Sequence, residues 1–160
     1  MIVIVMGVTG AGKTTVGRLL AERLGWEFAD ADDFHPPANV EKMEKGIALG
    51  DEDREPWLER LRTKIESWNA ERRNVVLACS ALKRSYRKML DVAPAVKFVY
   101  LQGSRELIAE RLRARHGHFA DEKILAGQFA DLEEPEDAVV VDIAGTPEEV
   151  VGEIRERSWG

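Results

Sequence analysis

The sequence predicts an α/β domain organised on a parallel sheet, and three observations predict it. Five short runs rich in Val, Ile, Leu, Phe or Tyr are mostly continuous rather than alternating, as strands covered on both faces are. Most gaps between those runs carry helix-period sequence, which suits crossovers between parallel strands. A glycine-rich turn follows the first run and opens the first of these helices.

Ile2 to Met6 is the first strand, and Val16, Leu19, Leu20 and Leu24 mark the helix after the turn. Glu27 to Asp30 is a second, shorter strand that ends in acids. The stretch His35 to Glu55 breaks the pattern, because it is polar and interrupted by Pro36, Pro37, Gly46 and Gly50. It reads as an insertion that covers a site, the whole insertion running over about 35–70. Leu58, Leu61, Ile65 and Trp68 repeat with helical spacing, and Val75 to Cys79 follows as the third strand. Lys97 to Leu101 is the fourth strand, with a helix at Leu107, Ile108 and Leu112 behind it. Val139 to Ile143 is the fifth. The last helix carries its own start signal: Thr146 caps it, Pro147 takes the first helical position and Glu149 completes a capping box. Val150, Val151 and Ile154 then face inward.

The 160 residues fit one domain, 1–160, with no internal repeat, low-complexity tract or Gly/Ser linker. A formal charge of −6 opposes non-specific attachment to nucleic acid or anionic lipid, both of which need a summed positive field. An anionic substrate must therefore be met by local clusters of Lys and Arg. The single cysteine, Cys79, has no internal partner for a disulfide, and the apolar segment Ile2 to Val5 is too short for a signal peptide or a membrane span. A reducing, cytoplasmic location is expected, with no nucleic-acid or membrane partner.

Gly7-Val-Thr-Gly-Ala-Gly12-Lys13-Thr14 fits G-x-x-x-x-G-K-[ST] between a strand and an amphipathic helix, which is where that motif must sit. Its glycines allow tight turns that aim N–H groups at phosphate oxygens, and the helix adds its positive end. Gly7, Thr9, Gly10, Ala11, Gly12, Lys13, Thr14 and Thr15 form the candidate nucleotide-binding set, for ATP with Mg²⁺. Lys13 reaches the outer phosphates, and the Thr14 hydroxyl offers Mg²⁺ a hard oxygen ligand. The competing reading is a glycine-rich turn with a solvated lysine.

The second strand ends in Asp30-Ala31-Asp32-Asp33, and alternate residues of an extended chain point to one side. Asp30 and Asp32 thus converge beside the phosphate loop. One carboxylate can orient Mg²⁺ through a water while the other accepts the proton of an attacking hydroxyl. Asp30 takes the metal side and Asp32 the base role, with the order open. A solvated acidic turn, or Asp33 capping a helix, is the alternative.

From Asp30 to Met43, and again from Gly46 to Leu58 with Asp51, Asp53, Arg54 and Trp57, the sequence resembles the substrate-binding signature of gluconokinases. Cys79-Ser-Ala-Leu-Lys83-Arg84-Ser-Tyr86-Arg87, Val99-Tyr-Leu, Arg111-Leu-Arg-Ala-Arg115-His-Gly-His-Phe119 and Gln128-Phe-Ala-Asp-Leu-Glu133 continue the likeness in the same order. The loop departs from the usual pattern at Thr9 and Ala11, where serine is more common, and neither change touches Lys13 or Thr14. The resemblance implies a P-loop, nucleoside monophosphate kinase-like fold: a five-stranded parallel sheet flanked by helices, a lid at about 115–128 and a homodimer. It implies phosphorylation of gluconate by ATP at the terminal hydroxyl, and a place for Gln128 among the substrate-binding residues.

A polyol carboxylate needs a cationic anchor, and Arg54 is the candidate because guanidinium binds such a group bidentately. The alternative for Arg54 is a surface pair with Asp51 or Asp53. His35 either hydrogen-bonds a substrate hydroxyl or caps local backbone. Lys83, Arg84 and Arg87 follow the third strand toward the cleft, and Ser80 with the backbone near Ala81 also borders it. Cys79 reads as a buried strand residue rather than a nucleophile. Arg111, Arg113 and Arg115 end a helix, and Arg111 and Arg115 share a face. On closure these arginines stabilise charge on the transferring phosphoryl group, Arg111 and Arg115 acting catalytically with Lys13 and Asp32, unless they are simply solvated. Gly117 is a hinge candidate, His116 and His118 are surface or packing residues, and Trp26, Trp57, Trp68 and Trp159 belong to core or interface. The rival functions are a kinase of another small polar acid such as shikimate, or of a nucleoside monophosphate, and a nucleotide-dependent switch that transfers to no metabolite.

Overall fold

The computed structural model describes residues 1–116 and 119–159, and the side chains among them except 115–123, 158 and 159. Its elements alternate along the chain: β1 (Ile2–Met6), α1 (Lys13–Leu24), β2 (Glu27–Asp30), a 3₁₀ turn (Ala31–Phe34), α2 (Pro37–Glu44) and α3 (Asp51–Ala70). There follow β3 (Val75–Ala78), α4 (Arg84–Leu90), β4 (Val96–Gln102), α5 (Arg105–His116), α6 (Phe119–Asp131), β5 (Val139–Asp142) and α7 (Pro147–Trp159). The five strands are all parallel, in the order β2-β3-β1-β4-β5.

Continuous apolar runs become central strands because helices cover both faces. Every residue of β1 and β3 is buried. Alternate residues of β1 feed two separate cores: Val3 and Val5 pack with Val16 and Leu20 of α1, Leu112 of α5 and Ile154 of α7. Ile2, Ile4 and Met6 pack with Leu58, Leu61 and Ile65 of α3 and Leu90 of α4. The capping box at α7 forms as its sequence requires, with Glu149 N donating to Thr146 Oγ1 at 3.2 Å and Thr146 N donating to Glu149 Oε1 at 3.4 Å. Among the described residues no helix is long and apolar enough to cross a membrane.

Four strand ends differ from the sequence reading by one residue: β3 stops at Ala78, β4 runs from Val96 to Gln102 and β5 stops at Asp142. The insertion is more ordered than its glycines and prolines suggest. Pro37 takes the first position of α2, where a missing N–H costs nothing. α3 begins at Asp51 and passes through Pro56. Three acids in its first turn favour the helix start, and Asp53 Oδ2 accepts from Gly50 N at 2.9 Å.

Candidate active site

The parallel register brings the site together. Ala78 of β3 pairs with Val5 of β1 on one side and Asp30 of β2 on the other, so these three strands end side by side. Gly7 N donates to Ser80 O at 3.3 Å, joining the loops that leave β1 and β3. Between β1 and α1 the chain turns through Gly10 at φ +80° and Gly12 at φ +93°, which L side chains rarely adopt. A Cβ on Gly10 would also lie 2.7 Å from Leu112 Cγ, so this loop is pressed against α5. Ala11 N donates to Val8 O at 3.2 Å, and Lys13 Nζ crosses the loop to the same carbonyl at 2.9 Å. Desolvation lowers the Lys13 pKa, against the attraction of Asp32, Cys79 and Asp30.

Asp30 and Asp32 meet at the loop, for a reason other than strand alternation. Asp32 lies in the 3₁₀ turn, and Asp30 caps that turn by accepting from Asp32 N at 3.0 Å. The second oxygen of Asp30 accepts from Thr14 Oγ1 at 3.1 Å. One carboxylate is thus fixed from both sides, while the other stays free to work. The Asp32 pKa is raised, first by desolvation in the cleft and then by the charge of Asp30. Its side chain is nevertheless 79% exposed, so it remains open to a substrate. Thr9, Lys13, Thr14, both acids, Ser80 and Gln128 border one cavity of about 210 Å³. Gln128 Oε1 accepts from Thr9 N at 2.5 Å and so ties α6 to the phosphate loop.

His35 is a packed ring. It stacks on Trp57 with centroids 4.4 Å apart, and its Nδ1 lies 3.1 Å from the amide nitrogen of Asn39. That nitrogen is a donor, so Nδ1 accepts and the ring proton is assigned to Nε2, which faces Asp32 Oδ1 at 3.8 Å. Burial, reinforced by the charge of Arg54, lowers the His35 pKa to about 4. Cys79 is also buried, and desolvation pushes its thiol up to about 12, which excludes a thiolate nucleophile at neutral pH.

Beside the acids, the start of α3 meets α4 and the end of α6. Arg54 NH1 donates to Tyr86 OH at 3.1 Å and lies 3.5 Å from Asp131 Oδ2, rather than pairing with Asp51 or Asp53. Asp51 binds Lys83 Nζ at 2.9 Å and accepts from Tyr86 OH, while Asp53 pairs with Lys42 at 2.8 Å. Two expected cleft cations lie elsewhere. Arg84 opens α4 with its side chain 60% exposed toward Glu136, since the helix start turns it to the α6–β5 connection. Arg87 is buried, and donates to the carbonyls of Ala81 at 2.8 Å, Leu82 at 3.0 Å and Glu133 at 2.7 Å, so its charge supports the loop below the site.

Arg111 also departs from expectation. It faces a second cavity of about 320 Å³ that continues from Gly10 and Gly12 toward Ile143, Gly145 and Pro147, away from Asp30 and Asp32. Position 111 lies where α5 passes the β5–α7 turn, and its NH2 reaches Ala144 O at 3.4 Å. The side chain of Arg115, with Gly117 and His118, lies outside the described residues. Sequence reasoning gave no role to Asn39 or Asp131, and saw Tyr86 only within a family segment. No local signal marks them, because each acts on a residue from another element.

A shikimate kinase family model matches residues 9–157. A gluconokinase from Gluconobacter oxydans is 47% identical, over 89% of this chain and 81% of its own. In three dimensions the chain is similar to a gluconokinase from Sinorhizobium meliloti, with a TM-score of 0.85, 44% identity and coverage of 94% of this chain and 87% of that one. A shikimate kinase from Acinetobacter baumannii, solved in complex with shikimate, shares the fold at a TM-score of 0.60 and 21% identity, over 99% of this chain and 95% of its own.

Proposed function

The chain belongs to the gluconokinases, within the shikimate kinase family, and on that premise we propose that it transfers the terminal phosphoryl group of ATP to the primary hydroxyl of gluconate. The products are 6-phosphogluconate and ADP. The observation that carries the reading is a phosphate loop sharing its cleft with one fixed and one free carboxylate, beside the Arg54 cluster.

The substrate hydroxyl gives its proton to Asp32 as its oxygen attacks the terminal phosphorus, and the bond to the bridging oxygen of ADP breaks. A raised pKa makes Asp32 a better proton acceptor than an ordinary surface carboxylate. Lys13 and the loop amides that are not already bonded within the protein, at Gly10 and from Gly12 to Thr15, hold the phosphates and balance charge that moves to the equatorial oxygens. Two hard oxygens, Thr14 Oγ1 and Asp30 Oδ2, stand 3.1 Å apart and would hold Mg²⁺, Thr14 as a ligand and Asp30 through a water. When bound there, Mg²⁺ screens the phosphate charge. Arg54 anchors the carboxylate, Lys83 stands beside it paired with Asp51, and Ser80, Gln128 and the Nε2–H of His35 receive hydroxyls. Arg111 serves the nucleoside side of the cleft. Arg84 takes no part.

By family resemblance, residues 115–128 form a lid that brings Arg115 to the phosphates, two chains form a homodimer, and the enzyme works in the cytoplasm. Hydrogen exchange over 111–128 should slow when nucleotide and gluconate are bound together, and light scattering should give twice the chain mass.

The shikimate kinase family match favours one second reading, phosphorylation of shikimate or another small polar acid. Incubation with ATP and gluconate, glucose, shikimate or nucleoside monophosphates, read by product mass, separates the two. Gluconate should be turned over far better than glucose, which lacks the carboxylate. Turnover of shikimate with none of gluconate would overturn the substrate and leave the kinase standing.

A further inference from the structure

Around Arg54 the charges are already matched. Lys42 pairs with Asp53 at 2.8 Å, Lys83 with Asp51 at 2.9 Å and Arg54 with Asp131 at 3.5 Å. Three cations and three acids leave no net positive charge for an incoming carboxylate. A carboxylate that takes up Arg54 therefore competes with the acid already on it.

The three acids are not held equally. Asp51 accepts from both Lys83 Nζ and Tyr86 OH. Asp53 is held by Lys42 Nζ at 2.8 Å and by Gly50 N at 2.9 Å. Asp131 has the 3.5 Å approach to Arg54 and the weaker, longer-range attraction of Lys83, and among the described residues its carboxylate accepts no hydrogen bond. Arg54 is itself only 17% exposed and keeps a second attachment at Tyr86 OH, so it stays in place when Asp131 leaves. We propose that Asp131 occupies Arg54 in place of the substrate, and that the substrate's carboxylate must displace it in order to bind. This rests on the reading of Arg54 as the carboxylate anchor.

Asp131 then determines specificity from outside the chemistry. A carboxylate can exchange for Asp131 on Arg54, whereas a neutral polyol offers no charge in return. The exchange also acts on α6, because Asp131 is its last residue and Gln128, three positions earlier, accepts from Thr9 N of the phosphate loop.

Titration calorimetry with gluconate, on wild type and on Asp131→Asn, Arg54→Ala and the double variant, tests this. Asp131→Asn keeps the shape and removes the competing charge. It should tighten gluconate binding by about 1.5- to 5-fold, the range expected for a partly exposed ion pair. A general loss of structure weakens binding, so tightening is diagnostic. In the Arg54→Ala background the same change should do much less, since only the longer-range attraction between Asp131 and Lys83 is left. Unchanged or weaker binding in Asp131→Asn, with Arg54→Ala much weaker, overturns the exchange and leaves the anchor intact. Equal tightening in both backgrounds also overturns it, since the effect would then be general charge. Unchanged binding in Arg54→Ala removes the anchor and the exchange together.

Discussion

Arg87→Ala should destabilise this protein more than most single substitutions away from the chemistry. Arg87 donates to the carbonyls of Ala81, Leu82 and Glu133 at 2.7 to 3.0 Å. Leu82 O keeps a second donor in Glu133 N at 2.8 Å, but Ala81 O and Glu133 O have no other partner among the described residues. Two carbonyls are stranded, at ~1–3 kcal/mol each, and the lost side chain leaves a void. Ala81 offsets part of this: it is fully buried at φ +44°, a left-handed conformation that costs a non-glycine residue ~1–2 kcal/mol and persists only when its surroundings enforce it. Without Arg87 the loop can relax and recover part of that strain. We therefore expect a loss of about 3–5 kcal/mol in urea titrations, and a drop in Tm of roughly 10 °C. Because Ser80 in this loop borders the active cavity, kcat/KM should fall as well. Arg87→Lys, which keeps the charge but not the fork, should land between the two. A stability within about 1 kcal/mol of wild type for Arg87→Ala would refute the reasoning, since it would mean that water or neighbours satisfy those carbonyls fully.

Lys13→Ala should cut turnover by about 10²- to 10³-fold with the melting transition intact, because its charge acts on the phosphates rather than on the core; near-native turnover would remove Lys13 from the mechanism. Thr14→Ala should shift the Mg²⁺ titration to higher concentration, and an unchanged titration would count against that ligand. Asp32 must be ionised to accept a proton, so kcat/KM should rise with pH through a pKa above the ordinary 3.8, and Asp32→Asn should lose ~10²- to 10⁴-fold and that acid limb together. His35 is buried neutral with its pKa lowered from 6.5 to about 4, so the unfolded chain binds the extra proton between those values. Its contribution is complete above pH 6.5 and is lost as pH falls toward 4, up to about 3 kcal/mol, and His35→Gln should flatten that slope in urea titrations.

Much of the fold could be read locally. The runs at Ile2 to Met6 and Val75 to Cys79 gave buried strands because continuous apolar sequence has no other place in an α/β domain. The insertion could not be read that way. Pro56 and the glycines argue against helix, yet α3 runs from Asp51 because Trp57, Leu58 and Leu61 bury against the sheet and outweigh the missing amide.

Of the site, the sequence by itself determined the phosphate loop between β1 and α1 and the presence of two acids at the end of β2, though the 3₁₀ turn rather than strand alternation brings those acids together. Only tertiary structure decided which charges meet. Gln128 reaches Thr9 across 119 residues, Arg54 reaches Tyr86 across 32, and Arg87 reaches Glu133 across 46. The same packing turned Arg84 outward, buried Arg87 and directed Arg111 to the other cavity. Residue type fixes what charge a side chain carries, but its partner is set by how helices lie on the sheet, and no local spacing encodes that.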